Sequence, residues 1–581
     1  MTAAHEAVET FSCDVLIIGS GGAGLMAALH AYDTNPALNV VVVAKGLIGK
    51  SGCTRLVQGG FNAVLEAGDS IERHFVDTLE GGAYLNDQEL AWALVSDAPE
   101  IIRKLETKAG VFFDRSPDGT IHQKAFAGQS FDRTVHRGDQ TGIEIVSRLH
   151  DQLLVRNIGR MDETRAIDLI PDASGTRIAG ALLLEQRTGR FVLGRARVTL
   201  LATGGGPRMY TYSAPSLEKV GDGYAMAYRA GCELIDMEMM QFHPTGILAG
   251  ASRLSGMVLE EGLRGAGAFL LNGEGERFME RYDPVRKERA TRDVVSRAGY
   301  LEIMAGRGSP QGGVFLDASH LGADFVAKTF PGMVRRCAEV GYDLTREPVE
   351  VVPTAHFHMG GARIDTDTRV HGFDGLLVAG EDAGGVHGAN RLGGNGVAES
   401  CVFGARAGVA AAQMCAGREL AEPEAAAVAR ARDEALAPLR REGGASPFAL
   451  RDRIQRAMWE GTGLVRQAAG LQRTLDVLEE IEEQIGASGA LGDARWNLAW
   501  QQALDVRNLR VAAWLTTRAA LARTESRGSH ARSDYPKRDD NAWLVHTVQQ
   551  REKGVSTLPV SLTRRKPGDP PLPRAVAAVV A

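Results

Sequence analysis

Asp14-Val-Leu-Ile-Ile-Gly-Ser-Gly-Gly-Ala-Gly24, continued by Leu-Met-Ala-Ala-Leu-His-Ala-Tyr32, sets the architecture. Asp14–Ile18 is a short apolar run of strand type, and Leu25–Tyr32 reads as a helix. Between them lies Gly19-x-Gly21-x-x-Gly24, with Gly22 and Ala23 inside the turn. The first glycine permits the turn, the second lets backbone approach a pyrophosphate, and the third lets the helix lie close to the strand. The helix N-terminus then attracts the phosphates. A second apolar run, Val40–Ala44, follows at βαβ distance. It ends in Ala44-Lys45 rather than in the acid that would hold a ribose hydroxyl in a plain NAD site.

Further along the chain, Val198–Ala202 runs into Thr-Gly-Gly-Gly, and Gly375–Ala379 runs into Gly-Glu-Asp-Ala-Gly-Gly. Both read as further buried parallel strands ending in glycine-rich loops, so the expected α/β sheet is assembled from widely separated pieces. The segment 238–350 is expected to be an insertion with its own fold. From about 416 the composition shifts to Ala, Glu, Arg, Leu and Gln, and 423–441 and 465–485 show helical spacing. Two or three bundled helices are expected there. After about 541 the pattern fades, and the Pro-rich tail from Lys566 onward is expected to be extended.

The chain has 581 residues, 44% of them hydrophobic and 24% charged, which suits a folded globular protein. Its net charge of −6 argues against nucleic acid as the main partner. There are 69 glycines, about 12% against ~7% in average usage, consistent with many tight turns around a nucleotide. The six cysteines, at 13, 53, 232, 337, 401 and 415, form no CxxC pair, so no metal or iron–sulfur cluster is expected within the chain. Scattered thiols suit a reducing compartment. Residues 1–14 lack the basic and apolar regions of a secretory signal. No apolar run reaches 18 residues, so no membrane span is expected.

Downstream come Gln58-Gly-Gly60, Ala202-Thr-Gly-Gly205, Gly221-Asp-Gly223, Gln241-Phe-His-Pro-Thr-Gly246, Glu261-Gly-Leu-Arg264, Thr291-Arg-Asp293, Pro353-Thr-Ala-His356, His387-Gly-Ala-Asn-Arg391, Glu525-Ser-Arg-Gly-Ser-His530 and Arg538-Asp-Asp540. In this order and spacing, from about residue 12 to 550, the chain resembles the flavoprotein subunit of succinate dehydrogenase and fumarate reductase, whose relatives include L-aspartate oxidase. The resemblance implies a Rossmann-like FAD-binding domain in two parts (1–237 and 351–415), an inserted α+β capping domain (238–350), a helical domain (416–540) and a tail (541–581). It also implies an electron-transport role beside a separate iron–sulfur subunit, in the cytoplasm or at the inner face of the cell membrane through partners.

Interconverting a saturated and an unsaturated dicarboxylate needs hydride exchange with the flavin, a proton donor for the other carbon, and cations that hold and polarise the carboxylates. The resemblance places Arg292 as proton donor and Glu261 and Arg264 as its relay. A guanidinium is an unusual acid, its pKa above ~12, so it needs a carboxylate neighbour and a dry site. His243, His356 and Arg391 match the carboxylate binders, and Phe126 matches a position near substrate. Glu381 would hold ribityl or ribose hydroxyls, Asp222 is a second cofactor contact, and Lys45, Thr54, Gly59 and Gly60 fall in cofactor motifs. Asn395 and its neighbours would place backbone amides near the flavin pyrimidine ring. Taken singly, each has a plainer reading: His243 a core histidine, Arg264 a surface ion pair, Arg292 a helix-face charge, Phe126 a core aromatic, Asp222 a turn former. Six family motifs together favour the chemical reading.

Three departures stand out. Cys53 stands where many relatives carry a flavin-linked His, so noncovalent FAD is expected, with a lower potential that favours fumarate reduction; a cysteinyl link is the alternative. The family's Thr-Glu pair is Glu260-Glu261 here, and a carboxylate at 260 would repel a substrate carboxylate unless it points away, is protonated, or meets a different substrate. Asn-Ser-Leu is Asn395-Gly-Val397. An aspartate-oxidase-like enzyme is the second reading, weakly favoured by Glu260 and opposed by Phe126, where those relatives carry a Glu. An enzyme for a substituted succinate or other acid, and an inactive assembly subunit, complete the alternatives.

Overall fold

The structure, a computed structural model, describes residues 8–572. The first seven residues and the end of the Pro-rich tail, 573–581, lie outside the described residues. The strand Val8–Ile18 lies inside a seven-stranded sheet. Val40–Val43 pairs parallel to one side of it, with Val15 opposite Val40. Phe191–Leu201 pairs parallel to the other, with Ile18 opposite Leu201. Leu376–Val378 then adds parallel to the end of Phe191–Leu201. Pieces some 180 and 360 positions away from the first strand thus share one sheet, joined by their fully buried Val, Leu and Ile side chains. The sheet is not wholly parallel: Thr164–Pro171 and Ile178–Glu185 form an antiparallel hairpin against the first half of Phe191–Leu201.

The first turn explains its glycines. Gly19 has φ +117°, and a Cβ there would stand 2.0 Å from the Ala202 carbonyl oxygen of the neighbouring strand. A Cβ on Gly24 would stand 1.9 Å from the Gly19 oxygen, so the helix Gly22–Thr34 could not sit so close to its strand.

A second, separate apolar core is built from residues between Ile247 and Val351. Its antiparallel sheet runs Met240–Ile247, Val349–His358, Val314–Asp317, Phe269–Leu271. The first two strands begin in one core and end in the other: Met240, Phe242 and Ala355 pack in the main core, Ile247 and Val351 in the second. Their junction is where the polar residues collect.

Among the described residues Pro447–Gly461, Ala468–Ala487 and Leu498–Ala522 pack on one another as the expected bundle, while a fourth helix, Ala425–Leu436, lies instead against Thr164–Pro171. Gly443 and Gly444 and the segment before Leu498 break what composition alone runs together. Val545–Gln549 and Val555–Pro559 form a hairpin, and the first of these strands pairs with Leu234–Ile235. No described helix is long and apolar enough to cross a membrane.

Candidate active site

One cleft of about 1800 Å³, its open mouth included, runs between the main sheet and the second core. Gly19, Gly21, Gly22, Ala23, Lys45, Thr54, Gly59, Gly60, Asp222 and Glu381 line it, as does Cys53. Phe126, His243, Glu260, Glu261, Arg292, His356 and Arg391 also line it.

At the glycine-rich wall, the Gly22 amide donates to Thr54 Oγ1 at 2.9 Å. The helix Gly22–Thr34 has no side-chain cap and no acid in its first turn, so its N-terminus is open to an anion. Lys45 Nζ reaches Asp222 at 3.1 Å and Asp505 at 2.6 Å, and Arg165 joins Asp505 at 2.9 Å. Lys45 therefore belongs to a charged cluster that the C-terminal helix completes. Glu381 pairs with the buried Lys219 and accepts the His358 amide at 2.9 Å. Burial pushes the Glu381 carboxyl up, while Lys219 pulls it back.

Two expected cofactor residues do not face the cleft. Gly24 is a packing position, as above. The Asn395 side chain is fully buried, bonded to Asn62 at 2.7 Å, His74 at 3.1 Å and Thr78 at 3.1 Å. It braces the start of the helix Asn395–Cys415, and Gly394, Gly396 and Val397 are the cleft neighbours. Gly-rich backbone at that helix start suits close approach by a flat ring, in line with the expectation for its amides.

At the far end, Arg292 opens the helix Arg292–Glu302 and meets Glu261, the first residue of Glu261–Gly265. Arg292 Nε and Nη2 donate to Glu261 Oε2 at 2.8 and 2.5 Å. Arg264 lies 3.8 Å from the other oxygen and donates to the Glu288 carbonyl at 2.6 Å. Arg264 is 1% exposed and stands behind Glu261 rather than on the cleft wall, so it is neither a surface ion pair nor a direct contact. Burial opposes the Glu261 charge, but Arg292 and then Arg264 hold its carboxyl below the ordinary value.

His243 and His356 come from the two strands that join the cores, with ring centroids 5.4 Å apart. His356 is the extra residue of a bulge: Phe357 opposes Gln241 and Ala355 opposes Phe242, leaving His356 without a strand partner. Bulges re-aim side chains in this way. Burial, then Arg292, holds both rings well below their ordinary pKa, so they are neutral hydrogen-bonding groups at pH 7. The Thr245 amide meets His243 Nδ1 at 3.3 Å, which assigns the proton to Nε2. Arg391 stacks 4.4 Å from the Phe357 ring centroid. Burial, then Arg292, lowers it to about 9, and its Nε has no partner among the described residues.

The sequence does not single out Gln241, although it opens the motif that carries His243. Its Oε1 accepts from Arg292 and Arg391, each at 3.1 Å, while its Nε2 donates to Asn390 and to the Arg391 carbonyl. One amide thus spaces two guanidiniums. Lys124 is a second residue the sequence leaves unmarked. Its Nζ is 2.5 Å from Glu260 Oε1, so the carboxylate that interrupts the family pattern carries its own counter-ion. No local pattern reveals Lys124, Lys219, Arg165 or Asp505, because each partner lies more than 100 positions away.

The comparisons with known proteins agree with this geometry. Residues 14–397 match the family model "FAD binding domain", and 451–570 match "Fumarate reductase flavoprotein C-term". The chain belongs to the succinate dehydrogenase and fumarate reductase flavoprotein family. It is 42% identical over 538 residues to a fumarate reductase (CoM/CoB) subunit of Methanothermobacter marburgensis, covering 91% of this chain and 95% of that one. It is 35% identical to the fumarate reductase flavoprotein subunit of Mycobacterium tuberculosis, covering 98% and 99%. Among solved structures, a variant of the E. coli quinol fumarate reductase FrdA superposes with a TM-score of 0.90 at 32% identity, covering 98% and 99%. Mycobacterium smegmatis Sdh1 gives 0.85 at 38%, covering 96% of each chain.

The flavoprotein is therefore an FAD-dependent oxidoreductase of this type, and the residues present fit the cofactor. The glycine turn leaves room for backbone to approach a pyrophosphate, and the uncapped helix start offers it amide donors.

Proposed function

We propose that this flavoprotein interconverts succinate and fumarate, favours fumarate reduction, and exchanges electrons with a separate iron–sulfur subunit. Bound FAD supplies the hydride chemistry. The observation that carries the reading is the ring of groups at one end of the cleft: Arg292 on Glu261, Arg391 with a free N–H, and two neutral histidines. At that end Arg292, Arg336 and Arg391 line the cleft with Glu260 and Glu261, and Lys124 pairs with Glu260, so positive charge is left unmatched. A dicarboxylate brings the matching negative charge.

In this reading Arg391 and the two imidazoles bind and polarise the carboxylates. Arg292 holds a proton at the carbon to be protonated. Glu261 recovers the proton through Arg264, the second buried guanidinium beside it. FAD is held without a covalent bond. Cys53 Sγ accepts the Ser216 amide at 3.3 Å and lies 3.4 Å from its hydroxyl, so the thiol already has partners. The relatives' names, subunits of fumarate reductases, support both the substrate and a partner that exchanges electrons.

The test is anaerobic oxidation of reduced viologen dye by the purified chain with fumarate. Fumarate-dependent oxidation is expected, with all flavin released by acid precipitation. A flavin-loaded, dye-competent chain that ignores fumarate overturns the substrate, and acid-stable flavin on the protein overturns the noncovalent linkage.

A further inference from the structure

Glu260 is 3% exposed, lines the cleft, and directly precedes Glu261. Its only counter-ion among the described ion pairs is Lys124, on the short strand Gln123–Lys124 that pairs with Thr134–Val135 of the main body. Lys124 Nζ also lies 5.7 Å from the Phe126 ring centroid, at the same end of the cleft. The Glu260 backbone amide is taken by Met333 Sδ, so the residue's position is fixed from the second core as well. The ion pair closes on Glu260 Oε1 and keeps the carboxylate from acting as a free negative charge toward the site.

We propose that Lys124 is a positioning residue for substrate charge: by pairing Glu260 it keeps that carboxylate from cancelling the positive charge of Arg292 and Arg391 and so selects dianionic dicarboxylates over monocarboxylates. This rests on the dicarboxylate reading above and deepens it. Without Lys124 that positive excess shrinks, and Glu260, whose charge burial already disfavours, faces the substrate carboxylate with like charge when ionised. The same contact could instead be a mechanical clasp between the second core and the main body. The two roles separate in a double variant, because a clasp stays broken when both partners are removed, whereas a charge mismatch is repaired.

The experiment compares wild type, Lys124→Met, Lys124→Arg and the pair Lys124→Met with Glu260→Gln. KM and kcat for fumarate and for an unsaturated monocarboxylate are read with reduced viologen. Dissociation constants for succinate and malonate are read from the perturbation of the bound flavin spectrum, which needs no turnover. Lys124→Met is expected to raise the fumarate KM and the dicarboxylate dissociation constants about tenfold or more, the scale of one unfavourable charge contact. The monocarboxylate should change far less, and kcat should stay within about threefold. Lys124→Arg and the double variant should recover most of the loss. Unchanged dicarboxylate affinity in Lys124→Met, or a double variant as impaired as the single one, overturns the proposal while leaving the dicarboxylate reading intact. A wild type that neither reduces fumarate nor binds any dicarboxylate overturns both.

Discussion

Arg292 rests both Nε and Nη2 on a single oxygen of Glu261, at 2.8 and 2.5 Å, and leaves the second oxygen to Arg264 at 3.8 Å. This one-sided grip frees Arg292 Nη1 for Gln241. Among the described residues it also makes Glu261 the only carboxylate in contact with the guanidinium, in a buried site. Glu261→Gln keeps the shape and one acceptor but cannot carry a proton. It should lower kcat by roughly 100- to 10,000-fold, the range for a lost acid–base group, with flavin content unchanged. Arg292→Ala should keep FAD and abolish turnover. Stopped-flow reoxidation of reduced enzyme by fumarate measures both, and normal turnover in either variant excludes this proton path.

Gln241 spaces Arg292 and Arg391 through one oxygen. Gln241→Leu removes that acceptor and leaves two buried guanidiniums facing each other. The fumarate KM should rise by roughly tenfold to a hundredfold through misplacement of Arg391, with a smaller fall in kcat. An unchanged KM would mean that Arg391 is held by its stacking on Phe357 alone.

The Lys219–Glu381 pair is buried, at 5% and 8% exposure. Lys219→Met strands a buried carboxylate, which typically costs about 3–5 kcal/mol. The apoprotein should melt several degrees lower, and the variant should purify with less flavin. Lys219→Met with Glu381→Gln should regain stability without full flavin retention, because a neutral amide oxygen accepts a hydroxyl more weakly than a carboxylate. Measuring Tm alongside the flavin-to-protein absorbance ratio separates the two effects.

Acid should destabilise this protein early. Burial, then Arg133, holds His74 at about 3, and burial, opposed by the Met237 carbonyl, holds His358 at about 4. An unfolded histidine titrates near ~6.5. As pH falls below that value the unfolded chain takes up protons that the folded chain refuses, so the stability present above it is lost. Each such histidine contributes about 1.4 kcal/mol per pH unit over the interval. His243, His356 and His530 shift the same way. His546 is raised, Asp236 outweighing burial, so its contribution changes only above about 6.5 and leaves the loss below that value intact. The Tm should fall steeply between about pH 6.5 and 4, and a flat profile would show that these rings are protonated in the fold.

Much of the site is legible because its chemistry sits in short motifs. Gly19–Gly24 announces the turn, and Gln241–Gly246, Glu261–Arg264 and Pro353–His356 each carry a reacting or binding group within a few residues. The reading fails where a residue's role depends on something distant. Asn395 lies in a motif, yet its amide is drawn into Asn62, His74 and Thr78, which no neighbour in sequence predicts. Composition gives the helical bundle but overlooks the hairpin Val545–Gln549 and Val555–Pro559, because its place is set by pairing with Leu234–Ile235.

The cofactor class, the turn that holds it and the identity of the acid–base and carboxylate-binding groups follow from residue types at short spacing, which steric and charge rules constrain locally. Folding alone settles what neutralises Glu260, what spaces Arg292 from Arg391, and which acids face the cleft with a partner. A charge in a dry pocket is tolerated only beside its opposite. The chain supplies that opposite from segments that meet only when the two cores close on each other.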